Sequence, residues 1–432
     1  MNYFKEFIRY TSLNVLGMLG LSCYILADTF FVSLGLGTNG LAALNLAIPI
    51  YSFIHGIGLM IGIGGGTKYS IATSQGDKTA ANHIFTNSLW LAAILSIILF
   101  SLGAFISPAL AELLGATGVV FNMSKVYLQV ILLFAPFFVF NNLLLCFVRN
   151  DGSPQLAMAA MLGGSMSNVV LDYIFIFPLD MGIFGAAFAT GLAPIISMLI
   201  LTPFFLKGQN KFHFKSCKLY SKLASGIVSS GFPSLVTEVS SGIVIIVFNM
   251  IILKLQGNIG IAAYGVIANL SLVLMAIYTG IAQGIQPLIS HYHGAGNTSN
   301  VRCILRYALI SMLVVSVVVY TAIFVGAEAI TSIFNRDRDP VLQSIATIGL
   351  RLYFTACLVA GFNIIISVYF TSTEQERPAH IISLLRGLIV IIPLTILLSS
   401  IAGMTGVWLA FPMTELLVAV LGMAMYRWSL RL

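Results

Sequence analysis

Apolar residues run along this chain in long blocks, broken at near-regular intervals by short polar stretches. The breaks read GLGTNG, SQGDKTAAN, RNDGSPQ, FPLDMG, HGAGNTSN, FNRDRDP and TEQERP, rich in the Gly, Pro, Asn and Asp that favour turns. The blocks between them approach or exceed the roughly 20 residues a helix needs to cross the hydrocarbon layer of a membrane. Twelve spans follow, at 10–34, 42–73, 85–107, 124–148, 156–178, 183–206, 226–254, 261–288, 304–326, 344–371, 380–400 and 404–426. The longest polar linker divides them into two groups of six. The predicted fold is therefore an all-α integral membrane bundle: an N-terminal lobe at 1–206, a basic linker at 207–225 and a C-terminal lobe at 226–432.

Composition narrows the class. Of the 432 residues, 59% are hydrophobic and 8% charged, against about 25% charged in a soluble domain. The first apolar run is too long for a cleavable signal peptide and is followed by further spans. A formal charge of +7 invites a nucleic-acid reading, but the basic residues are scattered over short loops, where membrane orientation explains them better. With the N-terminus inside, fourteen Lys and Arg fall on the inner side, Arg149 and Arg431 among them. Four fall outside, Lys125, Lys254, Arg336 and Arg338. Both termini are expected on the cytoplasmic side of the membrane, with lipid rather than nucleic acid around the chain. The five cysteines have no CxxC spacing and read as small packing residues.

The two halves resemble one another. A shift of 220 aligns Leu41–Gly76 with Ile261–Gly296 without a gap, matching Gly64 with Gly284 and Gly76 with Gly296. Near the end of each half, GIFGAAFA (Gly182–Ala189) echoes GMTGVWLA (Gly403–Ala410). Six spans per repeat make the repeats parallel, related by a pseudo-twofold axis along the membrane normal. Two lobes that rock about a central cavity suit a transporter.

Acids inside the membrane are costly enough that each is a functional candidate. Four lie well inside spans: Asp28, Asp172, Glu238 and Glu415. Asp28 and Asp172 each sit about six residues, or roughly 9 Å, from the outer ends of spans 1 and 5. Thr190 lies roughly 10 Å into span 6 from the same side, and Asn168 precedes Asp172 by four, on one helical face. Two carboxylates, a carboxamide and a hydroxyl at one depth suit a hard cation such as Na⁺, or two acids sharing a proton. At matching positions the second half has Phe248 and Phe411 in place of Asp28 and Thr190. Its own acids, Glu238 and Glu415, lie near the midplane, where they could attract a cationic substrate, take up a proton, pair with one another or make a helix contact. His55 reads as a packed polar residue, and Arg386 lies close enough to the inner face to snorkel. The chain has no P-loop and no zinc or hydrolase motif, so no cofactor and no enzyme activity are expected.

Taken in order, these segments resemble the multidrug and toxic compound extrusion (MATE) family over nearly the whole chain. ADTFFVSLGLG (Ala27–Gly37) with Leu41–Ala43, NVVLDYIFIFPLDMGIFGAAFAT (Asn168–Thr190) and QPLISHYHGAGN (Gln286–Asn297) carry the resemblance. It implies a V-shaped, two-lobed exporter of organic cations and amphipathic drugs, driven by Na⁺ or H⁺ antiport and acting as a monomer. It resembles most the DinF/MepA-like branch, whose N-lobe ion ligands match Asp28, Asn168, Asp172 and Thr190, with Tyr24, Asn141 and Asn142 as more loosely matched surroundings. Two departures stand out. Leu13 takes the place of the family's span 1 proline, for which Pro233 is the second-half counterpart, and span 10 has no acid. The rival readings are a flippase for lipid-linked precursors, which would want an Arg-rich cavity, and an integral-membrane transferase, which would want a reactive constellation at a membrane face.

Overall fold

The computed structural model describes residues 3–335 and 338–430. Arg336 and Arg431, both used in the charge count, lie outside the described residues. Among the described residues all regular structure is helical: α1 (Tyr3–Ser74), α2 (Lys78–Phe105), α3 (Ser107–Leu113), α4 (Gly118–Leu133), α5 (Ala135–Asn150), α6 (Pro154–Ile176), α7 (Gly182–Leu206), α8 (Ser221–Gly294), α9 (Thr298–Phe334), α10 (Pro340–Tyr353), α11 (Cys357–Ser372), α12 (Glu376–Leu384) and α13 (Ile391–Ser429). A 3₁₀ turn at Phe354–Ala356 joins α10 to α11, and a π-helical turn at Leu385–Ile389 leads from α12 towards α13.

Three of these helices are hairpins. The hydroxyls of Tyr24 and Tyr51 hydrogen-bond to each other, although 27 residues of straight helix would separate them by about 40 Å. α1 therefore doubles back, and it does so at Gly37 (φ 65°, ψ −157°), a conformation open essentially to glycine alone. α8 doubles back at Gly257 (φ 60°, ψ −150°), which brings Phe248 and Tyr264 into a ring stack at 5.5 Å. α13 does the same at Gly403 (φ 55°), where a Cβ on Gly406 would fall on the Leu398 carbonyl. α4 and α5 form one span bent by 47°. α10 and α11 form another, and α12 with the first half of α13 a third. The result is the expected set of twelve crossings.

Backbone geometry repeats between the halves. Gly37 and Gly257 are 220 residues apart, as are the turn glycines Gly76 (φ 79°) and Gly296 (φ 72°). The following helices are capped alike, Asp77 Oδ1 accepting from Ala80 N at 2.8 Å and Asn297 Oδ1 from Asn300 N at 3.1 Å. Gly182 (φ 59°) and Gly403 (φ 55°) are 221 apart. α5 and α11 end 222 residues apart, and α6 and α12 start at the same separation.

Apolar burial divides into two main clusters. One runs from Val32 to Ile227, and the other takes in Phe7 and then Phe248 to Val418. The start of α1 thus packs with the second lobe. The linker also has a lobe: Phe212 is fully buried against Phe85, Phe147 and Phe204. Backbone N–H groups of Lys211, His213, Lys215 and Tyr220 donate to Asp151, Asn82, Thr86 and Asn87 at 2.8–3.0 Å. α8 then begins at Ser221, a few residues before the boundary expected at 226.

The tightest approaches between lobes lie in the half of the bundle that holds the termini. A Cβ on Gly64 would meet the Ile227 carbonyl and the Gly231 nitrogen, and one on Gly231 would meet the Met60 backbone. Val15 packs on Gly280 and Thr11 on Gly284. Polar links reinforce the seam: Gln286 donates to Thr67 (3.1 Å) and accepts from Asn150 (3.0 Å), and Ser70 donates to the Pro287 carbonyl (3.2 Å). Lys68 pairs with Glu374 at 3.2 Å. The seam reaches as far as Gly242 against Pro49, about 18 Å short of the Gly37 turn at 1.5 Å per residue.

Candidate functional site

Four helices of the first lobe bring oxygen-bearing side chains to one point. Asp28 comes from α1, Asn168 and Asp172 from successive turns of α6, Thr190 from α7 and Tyr127 from α4. All five are buried, and Asn168 and Asp172 have no exposed surface. The carboxyl groups of Asp28 and Asp172 lie within hydrogen-bond reach of each other. Oriented to satisfy its neighbours, the Asn168 amide donates to Asp172 Oδ2 at 3.0 Å and its oxygen accepts from Thr190 N–H at 3.3 Å. Thr190 Oγ1 donates to the Ala186 carbonyl one turn back at 3.0 Å. The Tyr127 hydroxyl reaches Thr190 and faces both carboxyls.

The four residues singled out in the sequence therefore meet. Tyr127 was missed, since one tyrosine in an apolar helix carries no periodic or motif signal.

This cluster has what a small cation needs. Asp28 Oδ1 and Asp172 Oδ1 are both buried without a hydrogen-bond partner. Such atoms are expensive in a low-dielectric interior, and either a proton shared between the carboxyls or a hard cation would satisfy them. With carboxylate, amide and hydroxyl oxygens and no imidazole or thiolate at this point, the donor set favours a hard ion over a transition metal.

The looser surroundings sit beside this point. Tyr24, Asn141 and Asn142 line a cavity of about 80 Å³ next to the cluster, with Tyr51, His55, Gly164, Pro194 and Arg149 also on its wall. Asn142 donates to the His55 carbonyl at 3.4 Å, and Asn141 Oδ1 is buried and unpartnered.

The second lobe is built differently at the matching places. Phe248 stacks on Tyr264, Tyr264 faces Trp408 at 6.2 Å, and Phe411 stacks on Tyr353 at 4.8 Å. An aromatic stack thus stands where the first lobe gathers oxygens. The neighbouring cavity is replaced as well. By the shifts above, Asn141, Gly164 and Pro194 correspond to Asn363, Arg386 and Glu415. Arg386 Nε donates to Glu415 Oε1 at 2.6 Å, and Asn363 Nδ2 donates to Glu415 Oε2 at 2.7 Å.

One expectation is corrected here. Arg386 does not snorkel, because the π-helical turn carries it inward onto Glu415. For Glu415, with no exposed surface, the structure shows the helix contact among its readings, made to Arg386 and Asn363. Glu238 pairs with neither. It faces His55 across the seam at 3.5 Å, and His55 in turn stacks on Tyr51.

Known proteins share this architecture. The MatE family model matches residues 15–174 and 233–397. Multidrug export protein MepA of Staphylococcus saprophyticus is 26% identical over 422 residues, 97% of this chain and 92% of that protein. The protein of the same name from Staphylococcus aureus is 27% identical over the same shares. A crystal structure of MATE in complex with MaL6 superposes with a TM-score of 0.93 at 24% identity, covering 99% of this chain and 96% of the other. An outward-facing conformation of a multidrug resistance MATE family transporter of the MOP superfamily gives 0.91 at 24% identity over the same shares. At that identity the structural likeness speaks to the fold, and the family follows from the match over most of the sequence: the chain is a member of the MatE family.

Proposed function

We propose that this protein is a secondary active exporter of cationic and amphipathic drug-like compounds in a bacterial cytoplasmic membrane, with both termini inside. It works as a monomer, coupled to inward movement of Na⁺ or H⁺. The observation that carries this reading is the buried cluster of Asp28, Asn168, Asp172, Thr190 and Tyr127, whose two orphaned carboxylate oxygens call for a small positive ion.

The geometry supports a coupling of this kind. The glycine-lined seam closes the face that holds the termini and leaves the opposite face as the side from which an ion reaches Asp28 and Asp172. Ion and substrate need only prefer different conformations, or compete in one, for the two flows to be linked. Substrate enters between the lobes from the cytoplasm and the protein turns outward. A cation then loads the cluster as substrate leaves, and the loaded protein returns. The names of the staphylococcal relatives support the drug-export part of the reading. A flippase handling pyrophosphate would need several cations in its cavity, and the first-lobe cavity has one guanidinium, Arg149.

The test is drug resistance in cells that express Asp28→Asn or Asp172→Asn. Each is expected to abolish the resistance the wild type confers while reaching the membrane in equal amount. Full resistance in both variants would overturn the assignment.

A further inference from the structure

α9 and α13 both pack on α11 but make little contact with each other, which leaves a groove of about 840 Å³ between them. Leu309 and Leu313 of α9 and Val420 and Met423 of α13 form its walls, with Leu358 and Phe362 of α11 as the floor. Val420 is 65% exposed, Leu313 51% and Leu358 41%. α1 and α8, which carry the seam between the lobes, contribute nothing to its lining, so the groove opens outward onto lipid.

One end of the groove is basic. Arg427 and Trp428 stand there, where α13 ends. On α9, Arg306 and Arg302 continue the stripe of Leu309 and Leu313 at helical spacing, one and two turns nearer the end of the bundle that holds the termini. Arg302 faces Tyr369 and Tyr426, whose rings meet edge to face at 5.4 Å. All three arginines are exposed. Among the described residues none of them has a carboxylate within 4.0 Å, whereas Lys68, Arg351 and Arg386 are each paired with Glu.

The first lobe fills the matching place with its own chain. By the 220 shift, Arg302, Arg306 and Tyr307 stand opposite Asn82, Thr86 and Asn87, the side chains that accept backbone N–H groups of the linker. In the second lobe the start of α1 reaches Tyr307 through Phe4 and Phe7, but Arg302 and Arg306 stay exposed. A guanidinium has no acceptor to offer a passing backbone and calls instead for an anion.

We propose that this groove binds one anionic phospholipid of the leaflet around the termini, with an acyl chain between α9 and α13 and the phosphate on Arg302, Arg306 and Arg427. The dimensions fit. Leu313 and Leu358 lie about 20 Å from the ends of α9 and α11 on that side, enough for the roughly 15 Å of hydrocarbon in one leaflet. Three guanidiniums without a carboxylate select an anionic headgroup over one whose own ammonium balances its phosphate. Trp428, 64% exposed at the basic end, suits the headgroup level, where tryptophan is enriched. The inference does not depend on the export reading.

The experiment titrates the purified full chain with dioleoyl phosphatidylglycerol and, separately, dioleoyl phosphatidylcholine, and follows bound lipid by native mass spectrometry. The wild type is expected to bind its first phosphatidylglycerol about tenfold more tightly than its first phosphatidylcholine. Arg302→Gln with Arg427→Gln should bring the two lipids within about twofold of each other. Ala424→Trp, which fills the groove from an exposed position and keeps every arginine, should weaken phosphatidylglycerol severalfold. Equal affinity for the two lipids in the wild type would overturn the proposal, as would a preference that survives the double Gln variant. A preference lost with the arginines but untouched by Ala424→Trp would also overturn it, because charge alone would then be drawing lipid to the surface. Displacement of the lipid by millimolar glycerol 3-phosphate would assign the arginines to a free phosphate, and displacement on dimer formation would assign the groove to a second copy of the chain; either result overturns the lipid site.

Discussion

Tyr127 contributes a hydroxyl to the oxygen cluster from a helix that otherwise packs apolar side chains. Replacing it by Phe keeps the ring and removes one hydrogen bond, for which about 1 kcal/mol is typical. Tyr127→Phe should therefore weaken coupling-ion affinity roughly fivefold without unfolding the lobe, as read by the ion concentration that half-saturates transport. Glu415 gives the opposite case. Removing one partner of a buried ion pair costs about 3–5 kcal/mol, while replacing both by apolar groups is close to neutral. Glu415→Ala should sharply lower the melting temperature, and Glu415→Leu with Arg386→Met should restore most of it. If the double variant is no better than the single one, Glu415 does something other than hold Arg386.

At this scale the site was legible because depth and helical phase are arithmetic. Asp28, Asn168, Asp172 and Thr190 could be placed from span ends and a spacing of four. Arg386 was misjudged because a residue near a span end can turn either to water or inward, and only packing decides. Arg386 is turned by a π-helical turn that leaves no mark in the residue pattern.

Among the elements, three glycines with positive φ do most to shape the bundle. Gly37 and Gly257 hold backbone conformations that cost other residues about 1–3 kcal/mol, and nothing lies within 4 Å of a Cβ at either. Gly37→Ala and Gly257→Ala should each lower thermal stability by about that amount through backbone strain alone, with no clash to relieve. Gly64 differs, for it is helical and packed against the Ile227 carbonyl. Gly64→Val should push the seam apart. Spin labels at Thr73 and Ser225, both exposed on the terminal half, should then report a longer separation than in the wild-type background; an unchanged distance would mean that the seam does not hold the lobes shut. The repeat that aligns Gly64 with Gly284 and Gly76 with Gly296 was readable in the sequence, because glycine at a tight turn or a close crossing is hard to replace. That the predicted breaks after spans 1, 7 and 11 shrink to single glycines within continuous helices was not readable, since polar residues around a turn look alike whether the helix stops or folds.

The whole molecule combines two lobes of one architecture and unlike chemistry. The first holds an oxygen cluster beside a cavity, and the second fills the matching places with an aromatic stack and an ion pair. The twelve spans followed from composition and period, and the asymmetry followed from Phe248 and Phe411 standing opposite Asp28 and Thr190. The internal filling of the second lobe depended on tertiary contacts between α11, the π-helical turn and α13, which no local pattern encodes. On the proposed reading it is the first lobe that loads the ion, so one titratable pair should govern coupling. The decisive measurement is dye efflux from proteoliposomes with a pH gradient and a Na⁺ gradient imposed separately, comparing wild type with Asp28→Asn and Asp172→Asn. Efflux driven by one of the two gradients in the wild type, and lost in both variants while dye still binds, is the predicted result; gradient-driven efflux undiminished in the variants would contradict it.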